Sequence, residues 1–263
     1  MEPETTNDRS AVVMTFNLRR SSLFDGRNAW RYRKGRAASA IAATDADIVG
    51  TQEGSRSMLL ELNAMLPQYA WVGEGRRGGA LDETNAILYR ADRWKPERSG
   101  TFWLSDAPER PGSRAWGAAF PRICTWALFR SVQDEGARWA VFNTHLDHIS
   151  AQARRRGIAL VSKRARDIAE GVPLVLTGDF NAKPDSDVAQ LLRAEGWRSA
   201  LDDVPAAGAT FHGFRGGGER GRPIDYIFCR GNFEDIEAAV DRDRYGGRYP
   251  SDHYPVYARL RWR

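Results

Sequence analysis

Pro173-Leu-Val-Leu-Thr177 is an uninterrupted β-type run, and it stops at once on Gly178-Asp179-Phe180-Asn181. A run this short is a strand, and its continuous apolar character means burial on both faces. A polar group at its C-terminal end falls where α/β folds build their sites. Upstream, residues 151–169 read as an amphipathic helix, and before it 138–144 form another strand that ends in Thr144-His145. Strands interleaved with helices extend in both directions from here. Further strands are expected at 11–17, 46–52, 86–89, 123–129, 224–228 and 254–260. Helices are expected at 32–43, 56–66 and 187–194, the last capped by Ser186. The glycine-rich patches near residues 73–79 and 216–221 read as loops, so the class is α/β. Residues 10–263 make one domain behind a disordered tail at 1–9.

Composition agrees. The 263 residues are 42% hydrophobic, too many for a disordered chain, and no apolar run approaches the ~20 residues of a membrane span. Residues 1–10 are polar and acidic, so no signal peptide is visible and a cytoplasmic location is expected. Cys124 and Cys229 sit in apolar runs and read as buried thiols rather than a disulfide. Lys+Arg 39 against Asp+Glu 34 leaves a net charge of +5, a weak pointer to an anionic partner.

The polar residues at strand ends carry more. Asn17 ends the first strand, Gln52-Glu53 the second, and Thr144-His145 a third. Asp179 and Asn181 follow a fourth; Asp225 lies inside Ile-Asp-Tyr-Ile-Phe, and Ser251-Asp252-His253 precedes the last strand. Singly, each except Asp225 has an ordinary explanation as a turn cap or a solvated acid. An acid within an apolar strand needs a partner. Together, Asn17, Glu53 and Asp252 are hard oxygen donors suited to Mg²⁺ or Mn²⁺, while Asp179 with Asn181 can hold and deprotonate a water. His145 and His253 can donate to phosphate oxygens, with Asp225 keeping one imidazole cationic. The chemistry this assembles is metal-assisted hydrolysis of a phosphate ester.

In order, Thr15-Phe-Asn17, Gln52-Glu53, Asn143-Thr-His145, Gly178-Asp-Phe-Asn181, Ile224-Asp-Tyr226 and Ser251-Asp-His253 span nearly the whole chain. The set resembles the endonuclease/exonuclease/phosphatase superfamily, metal-dependent phosphoesterases related to pancreatic-type deoxyribonucleases, and in particular a bacterial group of unspecified substrate. The resemblance implies a four-layer sandwich, two mixed β-sheets packed face to face with helices outside. It makes Asn17 and Glu53 metal-site residues with Asp252 close by, and His253 the catalytic histidine partnered by Asp225. It makes Asp179 and Asn181 the pair that positions water and phosphate, His145 a second phosphate-facing histidine, and Glu83 that histidine's acid.

Gly54 after Glu53, and a histidine at position 145, depart from the abasic-site repair branch. Specificity is expected from loops, with Arg122 and Trp116 before one strand and His212 in Thr210-Phe-His-Gly-Phe214. The arginines of residues 154–166 read as a solvated helix face, and Trp30-Arg-Tyr-Arg-Lys34 carries the same ambiguity between solvated face and nucleic-acid contact. The expectation is a monomeric Mg²⁺-dependent phosphodiesterase or nuclease. The alternative is a phosphatase or small phosphodiester hydrolase acting on sugar, inositol or lipid head-group phosphates, and a non-catalytic scaffold comes last.

Overall fold

The computed structural model describes residues 9–262; residues 1–8, where most of the tail is expected, and residue 263 lie outside that range. The fourteen strands are β1 (Arg9–Asn17), β2 (Ile48–Gln52), β3 (Gly54–Ser55), β4 (Tyr69–Val72), β5 (Glu83–Thr84), β6 (Ile87–Arg90), β7 (Trp94–Trp103), β8 (Ile123–Ser131), β9 (Arg138–His145), β10 (Leu174–Asp179), β11 (Arg198–Ser199), β12 (Asp225–Arg230), β13 (Phe233–Val240) and β14 (Val256–Trp262). The helices are α1 (Trp30–Thr44), α2 (Arg56–Met65), α3 (Ala151–Ile168) and α4 (Asp187–Ala194), with a 3-10 turn at Leu23–Asn28. β1 thus begins one residue inside the expected tail.

Two six-stranded sheets form, ordered β13-β14-β1-β2-β6-β4 and β11-β12-β10-β9-β8-β7. Each is antiparallel except for one central parallel pair, β1 with β2 and β10 with β9. A parallel pair needs a long crossover, and a helix supplies it in both cases, α1 in the first sheet and α3 in the second. Side-chain alternation then decides which residue faces what. Met14, Phe16 and Val49 meet Ala37 and Ile41 of α1 and Leu59 and Leu62 of α2 in one buried cluster. Val13 and Ile48, on the opposite face, join a second cluster with Val141, Val175 and Ile227 of the facing sheet, and Ile158, Val161 and Val188 extend it onto α3 and α4. The result is one domain of helices, sheet, sheet and helices, as expected. Cys124 and Cys229 are buried and free.

Towards the site the sheets come very close. A Cβ on Gly50 of β2 would stand 2.1 Å from Thr177 Oγ1 of β10, so only glycine fits there. Around it the interior turns polar. Asn143 donates to the carbonyls of Thr51 and Ala86 at 2.8 and 2.9 Å, and accepts from Gln52 Nε2 at 2.7 Å and Thr177 Oγ1 at 3.1 Å. Gln52 also donates to Thr15 Oγ1 at 3.1 Å. Buried polar groups must find partners, and the three bonds between Asn143 and Thr51, Gln52 and Ala86 cross the sheet interface, fixing the register of one sheet on the other.

Candidate active site

The central strands of both sheets end at one edge, and alternation turns their last polar residues into the space between the sheets. Asp179, at the end of β10, is in register with His145 on β9 and Asp225 on β12. Asn17, at the end of β1, reaches across. Its amide donates to Asp179 Oδ2 at 3.0 Å and to Glu53 Oε1 at 3.1 Å. Glu53 follows β2 in a left-handed turn with φ 62°, a conformation that costs a non-glycine residue of order 1 kcal/mol. Its other oxygen accepts from the Arg20 N–H at 2.9 Å. Asp252 lies beside Arg19, with Nε 3.7 Å from Oδ2.

Glu53, Asp179, Asp252, Arg19 and Arg20 line a cleft of about 410 Å³ together with His145, His253, Asn181, Glu83, Arg76, Arg122, His148, Phe120 and Phe211, while Asn17 and Asp225 lie behind its wall. Three of the four histidines in the chain therefore meet here.

The electrostatics divide the site. His253 Nδ1 donates to Asp225 Oδ2 at 2.9 Å, and its Nε2 stands 3.8 Å from Asp179. Burial works to lower the His253 pKa, but the charge and hydrogen bond of Asp225, then Asp179 and Asp252, lift it to about 10, so the ring is cationic. His145 is the opposite case: burial, then the charges of Arg122 and His253, hold it well below the usual imidazole value. Asn181 gives one amide hydrogen to the Leu146 carbonyl and the other to His145 Nε2, each at 3.1 Å. The His145 proton is thereby placed on Nδ1, which has no protein partner. A neutral ring makes no ion pair, so its 3.5 Å approach to Asp179 is a contact only.

Burial, with the charge of Asp225 adding to it, holds Asp179 well above the ordinary carboxylate range. Burial and the charge of Glu53 also lift Asp252. For Glu53, burial is outweighed by the Arg20 N–H, the Asn17 amide and nearby cations, so it stays below its usual value.

Two donor sets could hold a cation. Ligand atoms of Asp179, Asp225 and His253 lie within 4.8 Å of one another. In that set, though, His253 Nδ1 and Asp225 Oδ2 already share a proton, and a metal would have to displace it. Glu53, half-buried, and Asp252, buried, instead present two repelling carboxylates to the cleft, the donor chemistry a hard divalent ion selects. A divalent ion fits there. Asn17 turns its NH₂ to the acids and spends its oxygen on the Arg19 N–H at 2.9 Å. In this arrangement it positions Glu53 and Asp179 rather than ligating.

Two expected substrate contacts are elsewhere. The Trp116 indole donates to Asp106 at 3.0 Å and its carbonyl accepts from Ser150, so it pins the loop before β8 onto the start of α3. His212 lies behind the site, stacked on Tyr254 at 3.9 Å, and burial pushes it down to about 4. Its neighbour Phe211 pairs with His253 in a β-bridge, and one step of alternation exchanges their sides. Phe211 is 51% exposed, and its ring meets His253 edge-on at 5.0 Å. Glu83 does line the cleft, but it pairs with Arg76 at 2.9 Å instead of with His145. Arg122 lines it as expected, donating to His148 Nδ1 at 3.1 Å.

Other members of the site are illegible as motifs. Arg76 lies 4.7 Å from the Phe120 ring, which stacks on His148. Arg33 of α1 is fully buried, contacting the carbonyls of Leu18 and Arg19 and that of Asn28 at 2.9 Å. It also reaches Pro250 at 3.4 Å, and so ties the segment after Asn17 to the one before Asp252.

Paired mixed sheets with acids and histidines gathered at a shared strand edge define the class of four-layer phosphoesterase folds. The chain belongs to the Endonuclease/Exonuclease/phosphatase family, whose sequence profile matches residues 14–253. A family member from Bacteroides thetaiotaomicron is 32% identical, with 97% of this chain and 99% of that one aligned and a TM-score of 0.92. A mannosyl-6-phosphatase from the same organism is 31% identical over 95% of this chain and 99% of its own, at a TM-score of 0.89. The human Nocturnin catalytic domain shares the fold at 18% identity, covering 97% and 95%, with a TM-score of 0.77. No match is found among curated protein sequences. Among the described residues no helix is long and apolar enough to cross a membrane.

Proposed function

We propose that this protein hydrolyses phosphate esters with a divalent cation, Mg²⁺ or Mn²⁺, held by Glu53 and Asp252. The observation that carries the reading is the cleft itself. Paired carboxylates occupy one end, buried arginines the other, and a cationic histidine locked by an acid lies between. A cation bound at the acidic end would act as a Lewis acid on the phosphoryl and leaving oxygens.

The rest is done by the chain. Asp179, with its raised proton affinity, accepts a proton from water as that oxygen bonds to phosphorus. His253, fixed by Asp225, donates from Nε2 to a phosphoryl oxygen as its charge grows. Arg122 binds another, and Asn181 fixes the neutral His145 ring through its Nε2. The bond from phosphorus to the ester oxygen breaks, and that oxygen leaves with a proton drawn from solvent.

Phe120 and Phe211 line the cleft as partly exposed rings, and 410 Å³ lies in the range of small-molecule sites. That size, with 31% identity to a mannosyl-6-phosphatase, favours a phosphorylated sugar as substrate. A nucleic-acid strand, the first expectation from sequence, becomes the second reading. Hexose 6-phosphates and single-stranded oligonucleotides assayed side by side with Mg²⁺ decide between them. Faster turnover of oligonucleotides, with a steep fall in salt, overturns the sugar reading.

A further inference from the structure

A concavity of about 720 Å³, larger than the catalytic cleft, lies apart from it among the described residues. It opens between the 3-10 turn at Leu23–Asn28, the start of α1 and the loop before β14. Arg27, Arg31, Arg36 and Arg248 line it, with Trp30 and Ser21, and no lining residue is acidic. The nearby acids are already committed, Asp25 to Arg19 and Glu61 to Lys34.

One of these arginines is in an untenable state on its own. Nε and Nη2 of Arg36 are buried with no hydrogen-bond partner, although a guanidinium carries five donors. Burial, followed by the charge of Arg248, pushes its pKa down. Two guanidiniums that repel across a concavity, one of them partly desolvated, are stabilised by an anion between them. The first turn of α1 adds to this. Its N-cap, Ala29, makes no side-chain cap, and Ala29, Trp30 and Arg31 line the groove, so the positive end of the helix dipole lies on the same side.

We infer that this groove is a second anion site, built around Arg36 and Arg248 for a phosphoryl group. Phosphate suits the geometry better than carboxylate: it carries up to two charges, which two opposed guanidiniums require, and offers oxygens for each fork. The site leads towards the catalytic cleft. Ser21 also lines a shallower depression that includes Arg20 and Glu53, and those two line the cleft in turn. The phosphoryl group bound here is either a distal one on an extended substrate or one on a separate molecule. The existence of the site does not depend on what the cleft hydrolyses.

The test titrates inorganic phosphate into the full chain by calorimetry, in chelator and at fixed ionic strength. Arg122→Ala removes one of the cleft's own anion contacts and serves as the background. In that background, Arg36→Gln and Arg248→Ala should each weaken phosphate binding at least about tenfold, the equivalent of ~1.4 kcal/mol. Arg248 is exposed, so its variant keeps the fold should Arg36→Gln lose it. Unchanged affinity in Arg248→Ala, or no phosphate binding at all in the Arg122→Ala background, overturns the site. The source is read from kinetics, as the ratio of kcat/KM for a hexose bisphosphate to that for the monophosphate. A fall of about tenfold in the Arg36→Gln/Arg248→Ala variant assigns the group to the substrate; an unchanged ratio, with binding still lost, assigns it to a separate molecule.

Discussion

Asn143 makes four hydrogen bonds beneath the site, and the three with Thr51, Gln52 and Ala86 hold the two sheets in register. Asn143→Ala removes all four. At about 1 kcal/mol net for each, the ceiling is ~4 kcal/mol before any cavity term. Three of the partners keep a second contact: Gln52 Nε2 retains Thr15 and the Gly50 carbonyl, Thr177 retains the Phe142 carbonyl, and the Ala86 carbonyl retains the Thr51 N–H. The expected loss is therefore about 3 kcal/mol, which at this chain length lowers Tm by roughly 6–12 °C. Asn143→Asp should cost more despite its nearly identical shape. It replaces both donors with a carboxylate oxygen facing the carbonyls of Thr51 and Ala86, and buried charge without a donor is expensive. Urea denaturation followed by tryptophan fluorescence measures both variants. A loss under about 1 kcal/mol in Asn143→Ala, or Asn143→Asp more stable than Asn143→Ala, refutes the reasoning that this network joins the sheets.

Other expectations follow from single contacts. Asp225→Asn should keep the fold and slow hydrolysis by ~10²–10⁴, because the amide no longer holds His253 as a charged donor; steady-state rates equal to the parent's would reject the pair. Arg33→Met strands the carbonyls of the segments beside Asn17 and Asp252, and should cost roughly 3 kcal/mol. Hydrogen exchange should then rise first near residues 18–20 and 250–253, and a uniform rise would speak against Arg33 as their tie. Burial works to raise the Asp147 carboxyl but is outweighed by the N–H groups of Ser150, Ala119 and Ile149 and by Arg122, so its pKa lies below the usual value. A depressed pKa contributes stability that is complete well above the unfolded value of ~3.9 and is lost as pH falls through the folded one. Asp147→Asn should thus destabilise the protein at pH 7 and flatten the acid limb of its stability profile; parallel acid limbs would contradict this.

The strands legible in the sequence were the eight interior ones, β1, β2, β6, β8, β9, β10, β12 and β14. The four at sheet edges, β4, β7, β11 and β13, were not. An edge strand has one unpaired side and fewer buried positions, and it tolerates charge and proline. β7 carries Lys95, Pro96, Glu97 and Arg98, with a register shift at Pro96, and β13 alternates acids with Ile236 and Ala238.

The candidate site divides along similar lines. A polar residue at the end of an apolar strand is conspicuous, so the acids and histidines could be read singly and in order. Arg76, Phe120 and His148 reach the cleft from loops and have no periodicity to betray them. His148 alone had a signal, standing three residues after His145. Strand alternation in a loop cannot be phased from sequence, which is why the sequence points to His212 where Phe211 faces the cleft. Gln52 and Asn143 are motif residues whose work is structural. Arg33, in a run that suggested a solvated face, is instead a buried clamp.

In the proposed function, Glu53 and Asp252 hold the ion on which hydrolysis depends. Calorimetric titration of Mn²⁺ into chelator-treated protein, repeated with Glu53→Gln and Asp252→Asn and paired with phosphate-ester hydrolysis, addresses it directly. The account predicts binding by the parent, binding lost in both variants, and hydrolysis that returns to the parent alone on adding the ion. Binding unaffected in both variants, or full hydrolysis in chelator, would contradict it.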